Sequence, residues 1–83
     1  MNSVMIITGA RKGIGRYLAE YYLQKGFFVS GCSRSESDLS HEKYSHYCLD
    51  VSDENAVKKM VRYVYKTHRR LDVLLNNTGI ASM

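Results

Sequence analysis

Three glycines limit what this chain can fold into. Gly9, Gly13 and Gly15 lie in the stretch Thr8-Gly9-Ala10-Arg11-Lys12-Gly13-Ile14-Gly15, after the apolar run Val4-Met5-Ile6-Ile7 and before a run with helical periodicity. A glycine-rich turn leading from a strand into a helix is the arrangement that holds a dinucleotide pyrophosphate. Gly9 permits a turn that a Cβ would hinder, Gly13 lets backbone approach a phosphate, and Gly15 lets the helix lie close on the sheet. The spacing is G-x-x-x-G-x-G, and the strand before it and helix after it give the match its weight.

The rest of the chain is read outward from this loop. Residues 3–8 form a buried strand, short and continuously apolar. Residues 13–25 form a helix with Ile14, Leu18, Tyr22 and Leu23 on its core face, and Gly26 is its stop. Residues 27–33 form a second strand, which completes one βαβ unit with a parallel pair and a right-handed crossover. The polar residues 35–43 read as a loop with at most one helical turn. Residues 45–49 form a third strand. Ser52 is read as the N-cap of a second helix, with Asp53 and Glu54 in its first turn. Val57, Met60, Val61 and Val64 give that helix its apolar stripe, and Lys66, His68, Arg69 and Arg70 suit its negative end. Residues 73–75 form a fourth strand, and Asn76-Asn77-Thr78-Gly79 is a turn at its carboxyl end. The element order is that of an α/β, Rossmann-type doubly wound parallel sheet of about four strands, order 3-2-1-4.

At 83 residues the chain is at most one small domain, and residues 1–83 are read as the N-terminal part of a dinucleotide-binding unit with no second domain. With 45% hydrophobic residues it is globular rather than disordered. No apolar run is long enough to span a bilayer, and the N-terminus has no signal-peptide pattern, so a cytoplasmic location is the default. Cys32 and Cys48 both lie in apolar strand-like segments and are expected to be reduced, buried thiols. The net charge of +4 suits an anionic ligand. Lys58, Lys59, Arg62, Lys66, Arg69 and Arg70 read as the solvated face and end of a helix rather than a nucleic-acid patch. His41, His46 and His68 have no spacing that suggests a shared metal.

In a doubly wound sheet the ligand lies across the carboxyl ends of the strands. Arg34 lies 19 residues after Gly15, where an acid selects NAD and a basic group selects NADP. No acid occupies positions 32, 33 or 35. Lys12 can reach the same 2′-phosphate from the loop side, and the hydroxyls of Ser33 and Ser35 complete the group. The plainer reading leaves Arg34 and Lys12 as solvated loop residues. Asp50 and Val51 end the third strand, where a carboxylate can accept from an adenine amino group and the next N–H can donate to the ring. Alternatively, Asp50 caps the turn into the second helix, and both can hold. The asparagines at 76 and 77 can tie strand ends together and bring backbone near a ribose; taken alone, the segment reads equally as an ordinary Asn-rich turn.

These features together resemble the N-terminal part of the short-chain dehydrogenase/reductase family: the T-G-x-x-x-G-I-G loop at 8–15, Asp50-Val51, and Asn76-Asn77-Thr78-Gly79 against the family's N-N-A-G. Lys12 with Arg34 is similar to the NADP(H)-preferring branch. Thr78 stands where the family usually has Ala. The resemblance implies cofactor contacts from Gly9, Arg11, Lys12, Gly13, Ile14, Gly15, Ser33, Arg34, Ser35, Asp50, Val51, Asn77, Thr78 and Gly79. It also implies NADP(H) preferred over NAD(H), and hydride transfer to a small-molecule carbonyl substrate only in a complete enzyme. The implied partners are the dinucleotide and, for a complete member, a second copy of the chain, with no nucleic acid or membrane; the 83 residues alone are expected to associate. The family's catalytic Ser and Tyr-x-x-x-Lys come after the N-N-A-G turn and have no counterpart here. Tyr21 and Lys25 match that pattern but lie in the first helix, which leads away from the phosphate. The 83 residues alone are therefore expected to be inactive. A nucleotide-binding or regulatory fragment without chemistry is the alternative reading, and a basic RNA-binding module a remote one.

Overall fold

The run Val-Met-Ile-Ile-Thr forms β1 (Val4–Thr8), every residue of which is buried. The computed structural model describes residues 2–10 and 13–76. After β1 come α1 (Gly13–Gln24), β2 (Phe28–Ser33), β3 (Tyr44–Cys48), α2 (Glu54–His68) and β4 (Val73–Asn76). The four strands form one parallel sheet in the order β3-β2-β1-β4, as the motif order predicts.

This order fixes where the helices go. The path β1 to β2 to β3 runs to one side, and β3 to β4 returns across the sheet. Right-handed crossovers in opposite directions place their helices on opposite faces. One face carries α1, with Met5, Ile7, Ala10, Ala19, Leu23 and Val29 as its core. The other carries α2, over Val4, Ile6, Cys32, Met60 and Val64. The long β2–β3 loop stays on the α1 face, where Leu39 packs into the core and Asp38 pairs with Arg16 at 2.6 Å.

Several sequence expectations change in detail. Ile14 is 70% exposed rather than in the core. The buried row of α1 is Gly15, Ala19 and Leu23, with Leu18 and Tyr22 beside it. A four-residue step overshoots a turn by about 40°, so a row read from Ile14 drifts into the core only further along. The N-cap of α2 is Asp53, not Ser52. Its carboxylate accepts from the N–H groups of Asn55 and Ala56, while the Ser52 hydroxyl is spent on Asp50. Cys32 is buried as expected, but Cys48 is exposed, because it ends β3 on the sheet edge. Residues 35–43 contain no helical turn. Both faces of the sheet carry a helix, and on the edge strand β4 Leu74 is 54% exposed. Gly26 ends α1 as predicted: its N–H bonds to Leu23 and that of Phe27 to Tyr22, a Schellman pair.

Candidate functional site

The carboxyl ends of β1 and β2 are joined before any side chain is considered. Gly9 leaves β1 at φ +67°, a left-handed turn that glycine makes without strain. Its N–H donates to the carbonyl of Cys32 at 2.9 Å, so the start of the loop is anchored to β2. Gly13 opens α1, also at φ +67°, and a Cβ built there meets no atom within 4 Å. Gly13, Ile14 and Gly15 form the first turn, whose N–H groups have no partner one turn earlier in the helix. A turn of this kind at a helix start suits an anion. Arg11 and Lys12 lie outside the described residues.

Beside this turn is a hollow of ≈ 260 Å³ lined by Gly9, Ser33, Arg34, Leu49, Asp50 and Val51. Five of these six were read from the sequence as site residues. Leu49 was not, although as the apolar neighbour of Asp50 at a strand end it has the right place for it. Arg34 projects into solvent with its side chain 83% exposed, and its Nε is 4.0 Å from the Asp50 carboxylate. Asp50 also accepts from the Ser52 N–H at 2.9 Å and the Ser52 hydroxyl at 2.8 Å. These donors, the backbone N–H first, hold its carboxyl below the usual carboxylate range, with a smaller contribution from Arg34. Asp50 thus caps the turn into α2, as the plainer reading had it.

The Ser33 hydroxyl differs from the simple picture of a group facing a phosphate. The Ser33 hydroxyl is turned inward, onto the Ser35 carbonyl and His46 Nε2. Ser35 is held there through its carbonyl, which also contacts His46 Nε2 at 3.0 Å. By its sequence His46 is an ordinary strand residue, and only the β2–β3 register, which pairs it with Gly31, brings it here. At the other end of the site, Thr8 Oγ1 donates to Asn76 Oδ1 at 3.0 Å, so an asparagine does join the ends of β1 and β4. Asn77, Thr78 and Gly79 lie outside the described residues.

Tyr21 and Lys25 form a local contact. Lys25 Nζ lies 5.3 Å from the Tyr21 ring centroid, at the end of α1 remote from the glycine turn. Among the described residues, no three His, Cys, Asp or Glu side chains are grouped to hold a metal ion, and no helix is long and apolar enough to cross a membrane.

Residues 3–83 match the family model described as short chain dehydrogenase. An NADPH-dependent 3-dehydrocapnine reductase from Ornithobacterium rhinotracheale is 36% identical over 84 residues, covering 92% of this chain and 30% of that protein. Among solved structures, ElxO with NADP bound superposes with a TM-score of 0.83 at 35% identity, over 93% of this chain and 35% of that one. The ligand-free aldohexose dehydrogenase of Thermoplasma acidophilum gives 0.84 at 34% identity, over 92% and 29%. The chain therefore spans only about a third of the length of the relatives it matches. With the sheet order, the glycine turn and these matches together, the chain belongs to the short-chain dehydrogenase family.

Proposed function

We propose that this chain is the NADP(H)-binding part of a short-chain oxidoreductase and takes NADP(H) in preference to NAD(H). The observation that carries the preference is Arg34, an exposed guanidinium at the end of β2 beside the strand-end hollow. A cation there complements a 2′-phosphate, whereas a carboxylate would accept from the ribose hydroxyls. Lys12, in the glycine loop, supplies a second cation in this reading. Gly9, Arg11, Gly13, Ile14 and Gly15 hold the pyrophosphate, Asp50 and Val51 meet the adenine, and Asn77, Thr78 and Gly79 lie along the ribose. An NADPH-dependent relative and a relative with NADP bound support this choice of cofactor.

In the whole protein the bound cofactor would donate hydride to a carbonyl carbon or accept it from an alcohol carbon. What these 83 residues contribute is binding and orientation of the adenosine half. They contain neither the downstream Ser nor the Tyr-x-x-x-Lys pair of the family, so on their own they bind nucleotide and reduce nothing. Two free thiols, one of them exposed, suit a reducing cytoplasm.

The test is a calorimetric titration of the chain with NADPH and with NADH. NADPH binds more tightly, and Arg34→Asp weakens NADPH by roughly tenfold or more, the scale of one charge-assisted hydrogen bond, and reverses the order of the two. Equal affinities in the wild type, or an Arg34→Asp chain that still prefers NADPH, would overturn the reading.

A further inference from the structure

The strand-end site contains a side-chain relay that the cofactor reading does not use. It begins at Gly31, which faces α1 in the middle of β2. A Cβ at Gly31 would lie 2.2 Å from the Tyr44 hydroxyl and 2.6 Å from Ala10 Cβ. Because Gly31 has no side chain, the Tyr44 phenol can lie across β2. Its hydroxyl reaches His46 Nδ1 at 2.7 Å. The other imidazole nitrogen, Nε2, is 2.8 Å from Ser33 Oγ and 3.0 Å from the Ser35 carbonyl.

The chemistry of these partners orders the protons. A carbonyl can only accept, so Nε2 carries the hydrogen that faces Ser35. In the neutral ring Nδ1 is then an acceptor, and the Tyr44 hydroxyl donates to it. Burial first of all, with Cys32 adding, pushes the Tyr44 phenol up to about 12, so that hydroxyl keeps its proton. The Ser33 hydroxyl donates to the Ser35 carbonyl. Two acceptors, one on each side of residue 34, thus converge on one N–H. Arg34 is the residue at the top of the bend that this N–H closes.

We propose that His46 is a positioning residue for cofactor selectivity: its Nε2–H pins Ser33 and Ser35 and so fixes the bend that presents Arg34 to a 2′-phosphate. The inference rests on the NADP(H) reading of the same hollow. It adds a specificity determinant in β3, on a different strand from the cation that meets the phosphate. A ligand without the 2′-phosphate makes no use of the bend, so its affinity does not depend on His46.

The probes are 2′,5′-ADP and 5′-AMP, which differ only in the 2′-phosphate, titrated into the 83-residue chain and three variants. His46→Gln keeps an N–H near the position of Nε2 and holds both ligands within about twofold of wild type. His46→Asn and His46→Leu lose that N–H and weaken 2′,5′-ADP by roughly three- to tenfold, the scale of a lost hydrogen bond, with 5′-AMP changed less than about twofold. Equal weakening of both ligands, or unchanged 2′,5′-ADP binding in Asn and Leu, would overturn the role of His46. A wild-type chain that does not distinguish the two ligands would overturn the NADP(H) reading itself. A readout free of any folding effect of substitution is the imidazole tautomer of the wild type, from two-bond nitrogen–proton correlation. Nε2–H is the result expected, and Nδ1–H would contradict the relay.

Discussion

Gly31 shows how much of this site depends on one missing side chain. Nothing in the sequence separates it from an incidental strand glycine, since its neighbours Ser30 and Cys32 carry no turn signal. Its need appears only when the register lays Tyr44 across it and the glycine loop brings Ala10 down beside it. Gly31→Ala should destabilise the fold by about 1–3 kcal/mol, the usual range for overpacking. Adding Tyr44→Phe should restore only part of this, because Ala10 Cβ is still 2.6 Å from the new methyl group. Chemical denaturation of the two single variants and the double measures both effects; full restoration would mean that the Tyr44 hydroxyl alone requires the glycine. His46 was hidden for the same reason as Gly31. A lone histidine in a strand has no readable spacing, whereas Arg34, Asp50 and the loop glycines were legible because each stands at a strand end, where doubly wound sheets take their ligands.

At the scale of elements, the strands and helices were read nearly to the residue, and the differences have local causes. Asp53 outcompetes Ser52 as cap because a carboxylate gains from the helix dipole as well as from hydrogen bonds. The strength of the β1–β4 junction was not legible. Asp72, just before β4, takes the Val4 N–H on its carboxylate at 2.8 Å and returns its own N–H to the Val4 carbonyl at 2.9 Å. Arg70 donates to the same carboxylate from Nε and from a terminal nitrogen, each at 2.8 Å. Arg70 first, then the Val4 N–H, holds the Asp72 carboxyl below its ordinary value. A lowered value means stability that is present above the unfolded carboxylate pKa of about 3.9 and is lost as pH falls through the folded value. Asp72→Asn should therefore melt below wild type from pH 7 to pH 5, with the gap closing below about pH 4. A gap that stays constant down to pH 3 would show that the charge is not what joins β1 to β4.

For the whole molecule, sheet order and function are one argument. The chain turns back between β3 and β4, which puts α1 and α2 on opposite faces and leaves the ends of β1, β2 and β3 open around the hollow of Gly9, Ser33, Arg34, Leu49, Asp50 and Val51. The short-chain dehydrogenase family places its cofactor across such ends, and this chain holds that part of the fold. Its basic character is also concentrated elsewhere, along exposed α2 residues such as Lys58, Lys59, Arg62 and Lys66, and an anionic ligand drawn by charge alone would settle there. The two outcomes are separated most directly by mapping backbone amide shifts of the chain as NADP⁺ is added. The account predicts that the largest shifts fall on Gly9, Gly13 to Gly15, Ser33 to Ser35 and Leu49 to Val51. Shifts concentrated on Lys58 to Lys66, or none at the strand ends, would contradict it.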